Sequence, residues 1–197
     1  MKLTEIRFRK YASFFDWPDK EIKEVSIVHD FSLSYFGDGK VPFSRLRLAE
    51  KDPPDCVAEL EDGTLVGFEV TELVDFDTVV KWEQDRSRDY KEYESDELVE
   101  LIEEIATGKD NKKYLGGPYQ EISLIIHTDE PFVSTQENIH AITNCVLKPK
   151  KQISKVYLML PPPVYISGVI PEKSVNESYR IIKLNLAQPP AGGDATR

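Results

Sequence analysis

Asp55 and Glu69 are two acidic residues that a β-hairpin would bring side by side. Cβ atoms opposed across such a hairpin lie about 5 Å apart, and like charges so placed repel each other. Mg²⁺ or Mn²⁺ relieves this repulsion, because hard cations bind carboxylate oxygens and water and are often held by two side chains. Such an ion acidifies a bound water and neutralises charge on a phosphoryl oxygen. The pair therefore predicts a divalent-metal site; the alternative is that Asp55 merely ends a Pro-Pro turn and that Glu69 is solvated.

The hairpin is predicted by its turn and by the alternation of its apolar residues. Pro53-Pro54 enforces extended backbone before Asp55, and Glu61-Asp62-Gly63 supplies the turn. If the turn is a three-residue loop closed by a left-handed Gly63, Asp55 opposes Glu69. A two-residue loop would mix polar and apolar side chains on each face, so the first register is favoured. It gathers these residues on one apolar face: Cys56, Ala58, Leu60, Val66, Phe68 and Val70.

Length and composition predict one α/β domain in a reducing compartment. A chain of 197 residues with 40% apolar residues can bury one core, and 30% charged residues exclude a membrane protein. The N-terminal residues alternate apolar and charged types, so neither a signal peptide nor a membrane span is expected there. The two cysteines, Cys56 and Cys145, lie in apolar runs without metal-ligand spacing. They are predicted to be buried thiols of a cytoplasmic protein.

The net charge limits the kinds of partner that the chain can bind. A formal charge of -10 argues against tight, non-specific binding of nucleic acid, which needs many Lys and Arg contacts to phosphate. A small acidic metal site is not excluded by it. Lysines are densest in residues 148–155, where a solvated loop before a strand is favoured over a phosphate contact.

Hydrophobic periodicity predicts helices and strands around the hairpin. A strand, a helix and a second strand near the C-terminal end follow one another, which implies a parallel pair with a right-handed crossover. Residues 1–186 are predicted to form a single domain, and residues 187–197 a disordered tail rich in Pro, Gly and Ala. The predicted elements are a helix over 19–36, hairpin strands over 55–60 and 65–73, a helix that begins with Ser95 as its N-cap, a strand over 122–126, a helix over 134–147, a strand over 155–160 and an edge strand over 179–186.

The hairpin resembles the PD-(D/E)XK nuclease superfamily. The likeness rests on Pro54-Asp55, the turn, and Gly67-Phe68-Glu69-Val70-Thr71-Glu72-Leu73. It implies an α/β fold with a restriction-endonuclease-like core over residues 20–160, in which a mixed central sheet in the order αβββαβ is flanked by helices. The resemblance also implies that the two hairpin acids are metal ligands, with Glu24 or Asp30 of the first helix as a third.

The chain departs from the family pattern at Thr71, where the superfamily usually carries its catalytic Lys. Some branches with Glu-Val-Thr-Glu at this point supply the Lys from the following helix. Here the apolar stripe of that helix continues through Lys109 and Lys112, and a cation on a buried stripe needs an acidic neighbour. Both are therefore predicted catalytic residues that approach the two acids and stabilise the attacking hydroxide or the charge on phosphorus. The alternatives are that Gly108 ends the helix and leaves both Lys as dipole partners, or that Lys81 supplies the cation.

Together these features predict a metal-dependent nucleic-acid phosphodiesterase. It would be an endonuclease-like hydrolase with Mg²⁺ or Mn²⁺ as cofactor and DNA as substrate, in bacterial defence or repair. Two alternatives stay open: a catalytically inactive nuclease-fold protein that acts as a protein-binding or immunity-type partner, and a structural domain whose two carboxylates have no joint role. The sequence leaves the oligomeric state open, a homodimer included. His127, at the end of a buried strand, is predicted to be a hydrogen-bonded structural residue.

Overall fold

The computed structural model describes residues 20–37, 41–75, 79–80, 84, 91–161 and 179–188. The predictions for Lys81 and for the tail beyond Gln188 lie outside these residues, and the single domain over 1–186 includes segments outside them. These three therefore stay predictions. Among the described residues, no helix combines the length and the apolar character that crossing a membrane needs.

The fold is a mixed β-sheet with helices on both faces. The described elements are helix α1 (Lys20–Phe36), strands β1 (Phe43–Leu48), β2 (Cys56–Leu60) and β3 (Leu65–Glu72), helix α2 (Ser95–Asp110), strand β4 (Glu121–His127), a short 3₁₀ helix (Pro131–Ser134), helix α3 (Gln136–Asn144), and strands β5 (Val146–Leu147), β6 (Lys155–Leu160) and β7 (Arg180–Leu186). The seven strands lie in the order β1-β2-β3-β4-β6-β7-β5. β1, β2 and β3 pair antiparallel, β3, β4 and β6 run parallel, and β7 is antiparallel to β6. Because β5 pairs with its end, β7 is not the edge strand that was predicted.

The hairpin of β2 and β3 has the register predicted from the sequence. Gly63 adopts the left-handed conformation with φ 83°. The Leu60 N–H donates to the Thr64 carbonyl at 2.8 Å, and Cys56 pairs with Phe68. The predicted apolar face is confirmed by one buried cluster that contains Cys56, Ala58, Val66, Phe68 and Val70.

Two apolar clusters place the helices on opposite faces of the sheet. α1 packs on one face, where Phe31 contacts Phe68. α2 and α3 pack on the other face, in a cluster that includes Leu98 and Leu124. Side chains alternate along a strand, and Glu69 pairs with Leu124 of β4. Glu69 therefore points towards the layer of α2, away from α1.

β1 is a strand that the apolar pattern did not reveal. Its register against β2 shifts between Phe43 and Arg45, which marks a bulge or similar irregularity. An extra residue interrupts the alternation of apolar and polar side chains, which is the signal that predicts a half-buried strand. β1 is also an edge strand with several exposed residues, so its burial is weak.

Two helix boundaries differ from those predicted. The helix predicted over 134–147 is shorter, because the chain leaves it to form β5, in which Val146 is 63% exposed. The N-cap of α2 is Glu94, and Ser95 is the first helical residue. The Ser95 hydroxyl donates to Asn138 Oδ1 at 2.8 Å, so a contact with α3 replaces the predicted capping bond.

Candidate metal centre

Glu69 lies in β3 and is completely buried. Its Oε1 atom is the acceptor for two lysine side chains, described below. Its Oε2 atom is buried and has no hydrogen-bond partner in the described part of the chain. A buried acceptor without a partner costs about 1–3 kcal/mol, so this atom indicates a place for a ligand.

Asp55 and Asp52 join Glu69 in a cluster of three carboxylates. One oxygen from each side chain lies within 4.8 Å of the others. Asp55 directly precedes β2, and its Oδ2 accepts the N–H of Val70 at 2.7 Å. Val70 lies beyond Phe68, the last β3 residue that pairs with β2, so the carboxylate occupies the place of a strand partner. The two acids predicted from the hairpin register therefore do converge, with Asp52 exposed beside them.

Helix α2 brings two lysines to Glu69. The helix continues through Gly108 to Asp110, so the alternative in which Gly108 ends it is wrong. The Nζ atom of Lys109 lies 2.6 Å from Glu69 Oε1, and that of Lys112 lies 2.8 Å from the same oxygen. Lys112 follows the helix, and its N–H donates to the Lys109 carbonyl at 3.1 Å. The structure thus brings all four predicted site residues, Asp55, Glu69, Lys109 and Lys112, into one cluster.

The electrostatic balance differs among the groups of the cluster. Burial and the charge of Glu69 raise the pKa of Asp55 to about 6. Burial lowers the pKa of Lys112, but the hydrogen bond and charge of Glu69 outweigh it and leave that pKa raised. Burial and the charge of Glu69 also raise the pKa of Tyr114, whose hydroxyl donates to the Lys109 carbonyl at 3.1 Å. Lys112 is therefore cationic, Tyr114 is a neutral donor, and Asp55 keeps its proton to a higher pH than an ordinary Asp.

The third carboxylate is not one of the two predicted from α1. Asp30 lies beside His29, with 3.4 Å between Oδ1 and Nδ1, and does not belong to the cluster. Glu24 is buried and its charge contributes to the raised pKa of Asp55, but its carboxylate is bound by Lys20 at 3.2 Å. Asp52 takes the place instead. The signal in the sequence that could have identified Asp52 is its position directly before Pro53-Pro54.

His127 lies outside the candidate metal centre, beside an ion pair. Lys23 of α1 binds Glu72 Oε2 at 2.5 Å, and His127 Nε2 lies 4.0 Å from the same oxygen. That distance is too long for a hydrogen bond, so the predicted hydrogen-bonded role is corrected to packing against the pair. Burial and the charge of Lys23 lower the pKa of His127 to about 3. The ring is therefore neutral near neutral pH and is a poor general base.

The two cysteines are free thiols. Cys56 is completely buried as predicted, and burial raises its pKa to about 12. Cys145 is only partly buried, which corrects the prediction for that residue. A nucleophilic role needs the thiolate, so the raised pKa makes Cys56 unreactive.

The donor set fits a hard divalent cation. Three carboxylates offer oxygen ligands, and Oε2 of Glu69 has no partner among the described residues. Comparisons of the chain with family models, curated proteins and solved structures gave no match. The resemblance to the PD-(D/E)XK superfamily therefore rests on the residues themselves.

Proposed function

We propose that the chain is a metal-dependent phosphodiesterase that cleaves nucleic acid, with Mg²⁺ or Mn²⁺ held by Asp55, Glu69 and Asp52. The observation that carries the proposal is that the two carboxylate oxygens of Glu69 have different surroundings. Its Oε1 binds two ammonium groups, while its buried Oε2 lacks a partner in the described part of the chain. Phosphodiester hydrolysis needs both a cation at the nucleophile and compensation of the charge that develops on phosphorus. The order of α1, β1, β2, β3, α2 and β4 also agrees with the core that the resemblance implies.

In the proposed centre, the carboxylates hold the ion, and the two lysines compensate negative charge on the substrate phosphate and on Glu69. The donor atoms available to an ion are Oε2 of Glu69 and the Asp55 oxygen that is not bound to Val70, with Asp52 at the exposed side. When bound, the ion supplies an acidified water and neutralises charge on a phosphoryl oxygen. Lys112 has a side chain that is 40% exposed, against 20% for Lys109, so we assign Lys112 to the substrate phosphate. Lys109 compensates the buried carboxylate.

DNA is the proposed substrate class, bound chiefly at the metal centre. With a net charge of -10, the protein offers few cations for broad contact with a phosphate backbone. Some of the lysines in residues 148–155 form ion pairs within the protein: Lys150 binds Glu103 and Lys155 binds Glu121, both at 2.6 Å. Substrate affinity should therefore depend on salt less steeply than in proteins with a large basic surface.

Cleavage of plasmid and single-stranded DNA tests this function. Wild-type protein should cut DNA with Mn²⁺ and lose the activity in EDTA. Glu69→Gln should lower the cleavage rate by about a hundredfold or more, because it removes the charge that the ion and both lysines share. Asp62→Asn is the matched control, since it makes the same charge change on the exposed turn of the same hairpin. Equal rates for wild type and Glu69→Gln, or no Mn²⁺-dependent cleavage at all, would refute the proposal.

A further inference from the structure

Asp110, the last residue of α2, is a buried acid whose side chain accepts hydrogen bonds from the main chain of a loop. Its Oδ1 accepts the N–H groups of Lys151 at 3.0 Å, Gln152 at 2.8 Å and Ile153 at 2.9 Å, and its Oδ2 accepts that of Lys151 at 2.9 Å. Burial opposes ionisation, but these three donors outweigh it and hold the pKa of Asp110 below its usual value. Three successive N–H groups that converge on one carboxylate form a strong, charge-assisted contact.

The position of Asp110 is unfavourable for the helix taken alone. An acid in the last turn lies at the negative end of the helix dipole, where Lys or Arg is favoured. The stabilisation of Asp110 therefore comes from the tertiary contact with residues 151–153. The contact is reciprocal, because Gln152 Nε2 donates to the main-chain oxygen of Asp110 at 3.0 Å and to that of Lys112.

The same turn of chain carries both lysines of the candidate centre. Lys109 directly precedes Asp110, and Lys112 follows it by two residues. The Lys112 carbonyl is bound by Gln152, and the Lys109 carbonyl accepts the Lys112 N–H and the Tyr114 hydroxyl, both at 3.1 Å. The last carbonyls of a helix ordinarily lack partners and the end frays. Here hydrogen bonds from outside the helix hold the main chain from which both ammonium groups extend.

This matters for the reaction, because lysine is a long and flexible side chain with about 2 kcal/mol of rotamer entropy. A displacement of about 1 Å at a reacting centre can lower a rate about a hundredfold. Fixing the main chain at both lysines reduces the positions that their Nζ atoms can occupy.

We propose that Asp110, through its contacts with residues 151–153 and with Gln152, is a positioning residue that holds Lys109 and Lys112 against Glu69. The inference rests on the proposed function in one respect, which is that the lysine pair acts on a phosphodiester. The positioning itself is a property of the protein without substrate and can be measured without cleavage.

Glu103 provides a matched control on the same helix and the same loop. Its Oε2 accepts the Lys148 N–H at 2.9 Å, and its Oε1 binds Lys150 Nζ at 2.6 Å. It lies about two helical turns before Asp110, away from the lysine pair. Loss of Glu103 therefore loosens the same loop without releasing the last turn of α2.

The experiment compares full-length wild type with Asp110→Ala, Asp110→Asn, Gln152→Ala and Glu103→Ala. NMR relaxation of isotope-labelled lysine in the metal-free protein reports the motion of the Lys109 and Lys112 side chains, and DNA cleavage with Mn²⁺ reports kcat and KM separately. We expect Asp110→Ala to increase the motion of both lysine side chains and to lower kcat about tenfold to a hundredfold with little change in KM. Asp110→Asn keeps an acceptor and should recover much of the loss, and Glu103→Ala should leave both readouts unchanged.

Gln152→Ala keeps the test decisive if Asp110→Ala does not fold. Gln152 is exposed, and its substitution removes the bond to the Lys112 carbonyl while leaving Asp110 in place. We expect it to increase the motion of the Lys112 side chain as Asp110→Ala does. Unchanged motion of both lysine side chains in the folded variants, or equal losses of kcat in Asp110→Ala and Glu103→Ala, would overturn the inference. Absence of cleavage in wild type would instead overturn the proposed function, while the motion of the lysine side chains would still decide the positioning.

Discussion

At the scale of single residues, the candidate centre treats its two buried acids differently. Removing a carboxylate from water costs several kcal/mol unless partners compensate it. Glu69 has two ammonium groups within 2.8 Å, whereas Asp55 has one backbone N–H at 2.7 Å. Burial and the charge of Glu69 therefore raise the pKa of Asp55 to about 6. The charge state of Asp55 therefore changes between about pH 5 and about pH 7, and a bound cation would favour its ionised form.

Asp55→Asn should stabilise the protein when metal is absent. The folded carboxyl keeps its proton up to about pH 6, whereas an unfolded Asp loses it near pH 4. The folded state therefore loses stability as the pH rises between these values, and the Asn variant does not. Urea unfolding in EDTA should show the variant more stable by about 3 kcal/mol at about pH 8, with the gap closing at about pH 4. The amide oxygen can still accept the Val70 N–H.

The control for this prediction is the same unfolding measurement with Mn²⁺. A bound cation offsets the buried charge in wild type, so the gain in unfolding free energy from Mn²⁺ should be large in wild type and absent in Asp55→Asn. An equal gain in both proteins would place the ion elsewhere.

At the scale of elements, both the packing of α1 on the sheet and the candidate metal centre depend on β3. One face of it packs against α1, and the other carries Gly67 and Glu69. A Cβ atom at Gly67 would lie 2.5 Å from Cδ1 of Ile122 and 3.1 Å from Cγ of Pro54. The missing side chain thus allows the Pro-Pro turn to approach β3, and that turn carries Asp52 and Asp55 at its two ends.

Gly67→Ala should destabilise the fold and weaken metal binding together. The added methyl group must displace Ile122 or Pro54, and overpacking of this kind costs about 1–3 kcal/mol. Displacement of Pro54 also moves the adjacent Asp55, so Mn²⁺ affinity measured by calorimetry should fall. Gly108→Ala is the control, because nothing lies within 4 Å of its Cβ position in α2 and Ala favours a helix by about 0.5–1 kcal/mol. The prediction is wrong if Gly67→Ala is as stable as wild type.

The hairpin and α2 could be predicted because their signals are local. The turn at Gly63 and the alternation of apolar residues determine which residue opposes which, within a span of twenty residues or fewer. The apolar stripe of α2 likewise determines the side from which Lys109 projects, and Lys112 follows directly after the helix. β1 could not be predicted in this way, because the irregularity between Phe43 and Arg45 breaks its period.

At the scale of the whole molecule, helices cover both faces of the sheet, and acids outside the candidate metal centre are also buried. Glu130, after β4, is completely buried. Burial, together with the charges of Asp129, Asp75 and Glu72, raises its pKa to about 7. His127 has the opposite shift, to about 3. As the pH rises, Glu130 therefore lowers the free energy of unfolding, whereas His127 raises it.

Glu130→Gln should become more stable relative to wild type as the pH rises. The folded Glu130 carboxyl binds its proton up to about pH 7, whereas the unfolded one loses it near 4.5. Wild type thus loses stability between these values, and the variant lacks this term. The difference in unfolding free energy should increase by about 2 kcal/mol between about pH 5 and about pH 8. Because His127 is common to both proteins, its opposing contribution cancels; a difference that stays constant with pH would contradict the prediction.

The sequence by itself determined the features that depend on neighbours along the chain. These are the register of the hairpin, the convergence of Asp55 with Glu69, and the inward side of α2, each of which follows from turn chemistry or from a repeating apolar pattern. Tertiary structure alone decided that Asp52 is the third acid and that Asp110 binds residues 151–153. These contacts join segments whose relative positions depend on how helices and loops pack on the sheet. That packing cannot be predicted from a periodic pattern of apolar residues.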